Sequence, residues 1–152
     1  MTSRRIAELA NRVFQHETMN GDGLCPIYLH RWTLLKVGGL FSVYLHKFVG
    51  DDWSLDPHDH PKRFWSIGLR GWYDEHTYKG YRQIRRRFHA PWFRTFPAEH
   101  IHRLTGPTPE HPCWTIVVVG RTVRRWGFWN RGTWLPWRAY VNSDNAKEMK
   151  SC

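Results

Sequence analysis

Between residues 23 and 141 the apolar positions of this chain fall in short runs with turn-forming residues between them. The segments 27–35, 40–49, 63–69, 72–78, 81–88, 92–96, 102–104, 114–119 and 123–129 are rich in β-branched and aromatic residues. Gly38-Gly39, Gly50-Asp51-Asp52, Gly71, Gly80, Pro91, Gly106-Pro107, Gly120 and Gly132 punctuate them. Short strands at regular spacing, closed by glycine and proline, predict an all-β sandwich or barrel. One helical period exists, ahead of the strands. Ile6, Leu9, Ala10, Val13 and Phe14 stand at i, i+3, i+4, i+7 and i+8 and make one apolar face. Thr2 or Ser3 can cap that helix, and Arg4, Arg5, Glu8 and Arg12 form its solvated side. Asn20-Gly21-Asp22-Gly23 then breaks the chain. The expected organisation is a helix and linker over 1–22, a single barrel over 23–141 and a polar, frayed tail over 142–152.

Composition narrows the class. The chain has 152 residues, 41% of them hydrophobic and 16% aromatic, enough for one domain with a real core and too apolar for a disordered chain. No apolar run reaches the roughly 18 residues a membrane span needs. The basic amino terminus lacks the apolar stretch of a secretory signal. Cys25, Cys113 and Cys152 are odd in number and widely spaced, which fits free thiols and a cytoplasmic setting better than a disulfide framework. The net charge of +10 favours anionic partners, whether small phosphorylated or carboxylated molecules or nucleic acid.

The chemistry centres on Pro57-His58-Asp59-His60-Pro61. Alternate side chains of an extended strand share a face, so His58 and His60 can converge on one point. Two imidazoles on one rigid strand are half of a site for iron, zinc, nickel or copper. Pro97-Ala98-Glu99-His100-Ile101-His102 offers a third imidazole, with His100 and His102 in competition. His46 shares strand parity with Tyr44, so both can face a cavity as substrate-contacting groups. Tyr73 and Glu75 likewise share a face; Glu75 can supply a carboxylate or carry a proton near the site, or the two can form an exposed surface pair, which is the preferred reading. Cys113 can approach as a thiolate or pack as a buried apolar residue. His16, His30, His76, His89 and His111 show no matching spacing.

Arginine and aromatic residues interleave at 81–88 and again at 121–131 around Trp126 and Trp129. Such pairs can stack bases and contact phosphates. Edge strands also use charge against aggregation, and aromatic-rich barrels need tryptophan as filling, so a structural role is the preferred reading there.

Two segments, in order and in spacing, resemble the motifs of the cupins. The first cupin motif runs G-x5-H-x-H-x(3,4)-E-x6-G, and His58, His60, position 64 and Gly71 fall on it; the second runs G-x5-P-x-G-x2-H-x3-N, and Pro97 and His102 fall on it. The likeness covers about 40–119. It favours His102 over His100 as the third histidine and implies a cupin-type antiparallel β-barrel, or jelly roll. The departures are Asp52 and Pro91 for the opening glycines, Glu99 for the glycine of the second motif, Gly106 for the asparagine and Phe64 for the metal-binding glutamate. Glu99 at that place is read as a turn residue. The chain is also similar to small phage and bacterial cupin-like proteins with an H-D-H-P signature and a closing pattern, here Trp126-Gly127-Phe128 and Trp134-Leu135-Pro136-Trp137-Arg138-Ala139-Tyr140.

The resemblance implies a divalent metal on His58, His60 and His102, with Fe2+ favoured and Zn2+, Ni2+ or Mn2+ as alternatives. Without the glutamate, three neutral imidazoles leave the ion its full charge, which favours anionic ligands such as thiolates, enolates or carboxylates. Thiol and diketone-cleaving dioxygenases resemble this arrangement, and Phe64 would add an apolar wall. The leading expectation is an iron-dependent dioxygenase-like enzyme acting on a small anionic molecule. The alternatives are a non-catalytic module for a small ligand or nucleic acid, and a metal-assisted isomerase or lyase for a sugar or sugar nucleotide. Cupins often pair, so a homodimer is compatible.

Overall fold

The computed structural model describes residues 15–20, 25–80 and 82–143. The helix expected over 6–14 lies outside the described residues, as do 144–152 of the tail. Eleven strands follow in order: β1 (His16–Met19), β2 (Leu29–Val37), β3 (Phe41–Phe48), β4 (Lys62–Arg70), β5 (Trp72–Lys79), β6 (Arg82–His89), β7 (Trp92–Phe96), β8 (His102–Thr105), β9 (Cys113–Thr122), β10 (Gly127–Asn130) and β11 (Thr133–Pro136). One short helix, α1 (Trp137–Val141), closes the described chain. The all-β expectation holds.

β1-β2-β3-β9-β4-β7 form a six-stranded sheet, and β6-β5-β8 form a second, three-stranded one. Every ladder between these strands is antiparallel. The β10–β11 hairpin joins the second sheet through the stretch 57–59. His58 exchanges two backbone hydrogen bonds with His102 (2.9 and 3.0 Å), while Trp129 N–H donates to Pro57 O and Asp59 N–H to Gly127 O. The histidine segment is therefore an extended splice between β8 and β10, and its side chains must alternate between two faces.

A cavity of about 450 Å³ lies between the sheets. The six-stranded sheet faces it with rows of side chains set by register. One row runs Arg31, His46, Thr115, Gly68 and Trp92 across five strands; the next runs Thr33, Tyr44, Val117, Ser66 and Arg94. Gly68 is bare for a reason. A Cβ there would meet the Trp92 ring at 2.3 Å, so the indole lies flat against the strand. Gly68→Ala should destabilise the protein by about 1–3 kcal/mol through overpacking, read as a lowered urea midpoint; an unchanged midpoint would show that Trp92 moves aside freely.

The structure corrects several boundaries. Residues 16–19, expected as linker, pair with β2 as an edge strand. The run 123–129 is a strand only from Gly127, because the N–H groups of Val123 and Arg124 turn to Pro61 O instead of a ladder. β11 was not expected, since it ends in proline; Arg131 (φ 48°) and Gly132 (φ 82°) form the tight turn that returns it onto β10. The expectation of a helix only at the amino terminus missed α1. A helix of one turn carries no readable period and stands here through packing. Its Tyr140 is fully buried, with its hydroxyl 2.7 Å from Ser54 Oγ and 2.8 Å from Asp56 Oδ2. Cys113 is a free, buried thiol as expected, but Cys25 is disulfide-bonded, which corrects the expectation of three free thiols and removes that support for a cytoplasmic setting. No described helix is long and apolar enough to cross a membrane.

Candidate metal centre

Alternation along 57–61 sends His58 and His60 into the cavity, and the backbone bridge to β8 brings His102 between them. The three ring centroids lie 4.9–5.1 Å apart, and His60 Nε2 is 3.0 Å from His102 Nε2. One nitrogen from each of the three rings lies within 4.8 Å of the others. Burial pushes the His58 ring down to about 4, and burial with the neighbouring imidazoles holds His60 well below its ordinary value. Both are neutral at physiological pH, the form that ligates a metal. The residues fit a divalent ion: a 3.0 Å gap is that of two nitrogens each about 2.1 Å from one ion at a right angle.

Glu75 stands behind His102. Its Oε1 accepts hydrogen bonds from His102 Nδ1 and His100 Nε2, each 2.8 Å long, and Oε2 accepts from Arg94 Nη2. Burial opposes the charge, but the two histidine hydrogen bonds and the Arg94 charge outweigh it and keep the carboxyl well below the usual range. Accepting from Nδ1–H fixes the ring orientation and turns His102 Nε2 toward His60. That is the carboxylate–histidine arrangement seen behind metal ligands. Glu75, His100 and His102 also form a second group with metal-capable spacing. Glu75→Gln should lower metal affinity by about 10–100-fold while leaving the fold intact. Calorimetric titration with Zn2+ and far-UV circular dichroism would check both; unchanged affinity would mean that Glu75 does not orient the ring.

The other sequence candidates fall as follows. Phe64 lines the cavity, stacks on Phe96 with ring centroids 4.6 Å apart and meets His60 edge-on at 4.8 Å. Tyr73 and Glu75 are not the expected exposed pair but are both buried; Tyr73 lies on the cavity wall, its hydroxyl accepts from Arg94 Nη1 at 2.8 Å, and burial pushes the phenol pKa up. Tyr44 and His46 both line the cavity, their rings stacked with centroids 6.0 Å apart. Glu99 is exposed in the turn before His100, whose N–H donates to Pro97 O.

Sequence reasoning missed Asp59. It points away from the cavity, is 1% exposed, and accepts from Gly127 N–H (2.8 Å), Arg124 Nη1 (2.8 Å) and Trp134 Nε1 (3.0 Å). These bonds explain why an aspartate sits between the two histidines and why a tryptophan stands at 134. A Cβ on Gly127 would lie 2.0 Å from Leu135 O, so that position admits only glycine. The usable signal was the alternation itself, which puts the residue between two cavity-facing histidines on the opposite, packed side. Arg94 and Thr115 carried no signal, because only the register of β7 and β9 brings Arg94 to Tyr73 and Glu75 and Thr115 to the cavity.

The two facing antiparallel sheets, with a histidine cluster inside, define the double-stranded β-helix fold of the cupins, and the chain has that fold. Solved structures share it. HppE in its iron(II) form aligns with a TM-score of 0.52 at 12% identity, over 69% of this chain and 56% of that one. A sugar phosphate isomerase of the cupin superfamily from Silicibacter pomeroyi aligns at 0.51 and 17% identity, over 66% and 65%. Oxalate decarboxylase of Bacillus subtilis aligns at 0.51 and 11% identity, over 72% of this chain and 28% of that one. The chain thus spans less than two thirds of each of these, and at such identities the likeness establishes the fold. No family model and no curated protein matches the sequence.

Proposed function

We infer that the protein is a metal-dependent enzyme acting on a small anionic molecule, of the iron-dependent dioxygenase type. The observation that supports this most is the convergence of three imidazoles in a cavity, with Glu75 orienting His102 and Phe64 where cupins carry a ligating carboxylate. His58, His60 and His102 would hold the ion. When bound, Fe2+ at three neutral ligands supplies Lewis acidity toward an anion and redox chemistry toward dioxygen. The protein's own groups do the rest. Lys62 lines the cavity and raises its affinity for anions. Phe64 and Phe96 exclude water beside His60. Tyr73 accepts from Arg94 and stays protonated, so its O–H is left to donate to a substrate oxygen.

One observation favours a second reading, a nucleic-acid-binding module. Asp52, Asp56, Asp59, Asp74 and Glu75 are all buried, while Arg63, Arg121 and Arg125 are exposed, so the surface is more basic than the net charge alone implies. One experiment separates the two. Protein loaded anaerobically with Fe2+ should consume oxygen when offered small thiols, diketones or related acids, and His58→Ala should abolish the uptake. No uptake across a broad panel, with metal-free protein binding DNA or RNA as well as the loaded form, would decide for the module.

A further inference from the structure

The cavity has a polar feature far from the histidine cluster. His46 and Thr115 face each other in register on β3 and β9, and both line the cavity. Thr115 is 1% exposed, and neither its Oγ1 nor His46 Nε2 has a hydrogen-bond partner among the described residues. Buried polar atoms are seldom left unpaired, and an exception calls for an explanation. The belt between this pair and the histidines is mostly apolar, with Val117, Val119, Phe64 and Phe96, and its one hydroxyl, on Ser66, already accepts from Trp92 Nε1. Val119 pairs with Phe64, which touches His60, and Thr115 lies four residues back along β9. At strand rise that is roughly 13 Å.

We propose that His46 and Thr115 form a second recognition point, which takes a neutral hydrogen-bonding group at the far end of an elongated substrate whose anionic end lies at the three-histidine cluster. The inference rests on the metal-centre reading for the substrate's other end. A hydroxyl or primary carboxamide suits the pair, since each can both donate and accept, as a threonine hydroxyl and a neutral imidazole require. Burial, with Arg31 nearby, pushes His46 down to about 3, so the ring is neutral. A second carboxylate fits poorly. The nearest cation in the row, Arg31, already donates to Glu17 at 2.7 and 3.1 Å, leaving no free charge to offset the burial of an anion.

The test uses metal-loaded wild-type protein and Thr115→Val. The probes are linear medium-chain carboxylates of several lengths, ended by methyl, hydroxyl, carboxamide or a second carboxylate, with binding read by calorimetry. Wild type should bind the hydroxyl- and carboxamide-ended probes at least about tenfold more tightly than the methyl-ended ones. Thr115→Val should erase that preference and leave the methyl-ended affinity unchanged. In the absence of any probe, Thr115→Val should raise the melting temperature, because a methyl replaces an unpaired buried hydroxyl. A lowered melting temperature, a wild type indifferent to the end group, or a wild type that binds no probe would each overturn the proposal. Metal content, measured on the same samples, separates the two readings. An end-group preference in protein that takes up no metal sinks the metal centre and leaves the polar subsite standing; full metal loading without the preference does the reverse.

Discussion

His102→Ala should leave the protein unable to retain a metal ion, with affinity falling by more than about 100-fold, beyond the range of losing an orienting partner alone. His102 makes the most contacts within the candidate centre. Its Nε2 faces His60, its Nδ1 is fixed by Glu75, and its backbone carries the bridge to His58. Alanine keeps the backbone bridge, so the strand splice should survive and the loss should be one of ligation. Elemental analysis after dialysis against Zn2+ or Fe2+, beside His89→Ala as an exposed control, would read the effect. Equal metal content in His102→Ala and wild type would remove His102 from the centre. His100→Ala, which also contacts Glu75, should cost much less, because His100 offers no nitrogen to the group formed by His58, His60 and His102.

Asp59→Ala should be the most destabilising single change in this part of the chain, by about 3–5 kcal/mol. It strands the Arg124 guanidinium, a backbone N–H at Gly127 and an indole N–H at Trp134, two of which have no other partner that could replace a buried carboxylate. Urea unfolding would measure the loss. Arg124→Met should cost less by itself, and the double substitution should cost less than the sum, since the two residues share one ion pair. Strict additivity would show that the pair is not coupled. Because Asp59 pins the segment from its far face, a surviving Asp59→Ala protein should also bind metal more weakly, although it keeps all three histidines.

How far the sequence carried depended on whether a feature was local. Alternation along Pro57–Pro61 is a property of extended backbone, so His58 and His60 could be placed on one face without a structure. The same held for most strands, whose apolar runs and glycine stops are written in neighbouring residues. Spacing borrowed from the cupin motifs chose His102 over His100, and the structure shows the physical difference: His102 sits in β8 against His58, whereas His100 lies in the preceding turn and reaches Glu75.

Other features depended on which strands become neighbours, and that is decided by long-range pairing. Glu75 could be put on the same face as Tyr73, but only the β5–β8 register sets it behind His102 rather than among the cavity nitrogens. Thr115 looked like one residue in an apolar run until β3 placed His46 opposite it. Asp59 carried no role in the sequence, because its three partners lie 65 to 75 residues further along the chain. α1 has too few residues to show a period and exists because Tyr140 fills a buried slot against Ser54 and Asp56. The sequence by itself determined the strands and the face on which two histidines lie, since both follow from a two-residue repeat. Only the tertiary structure decided what surrounds that face, because hydrogen bonds between distant segments leave no periodic trace in the chain that makes them.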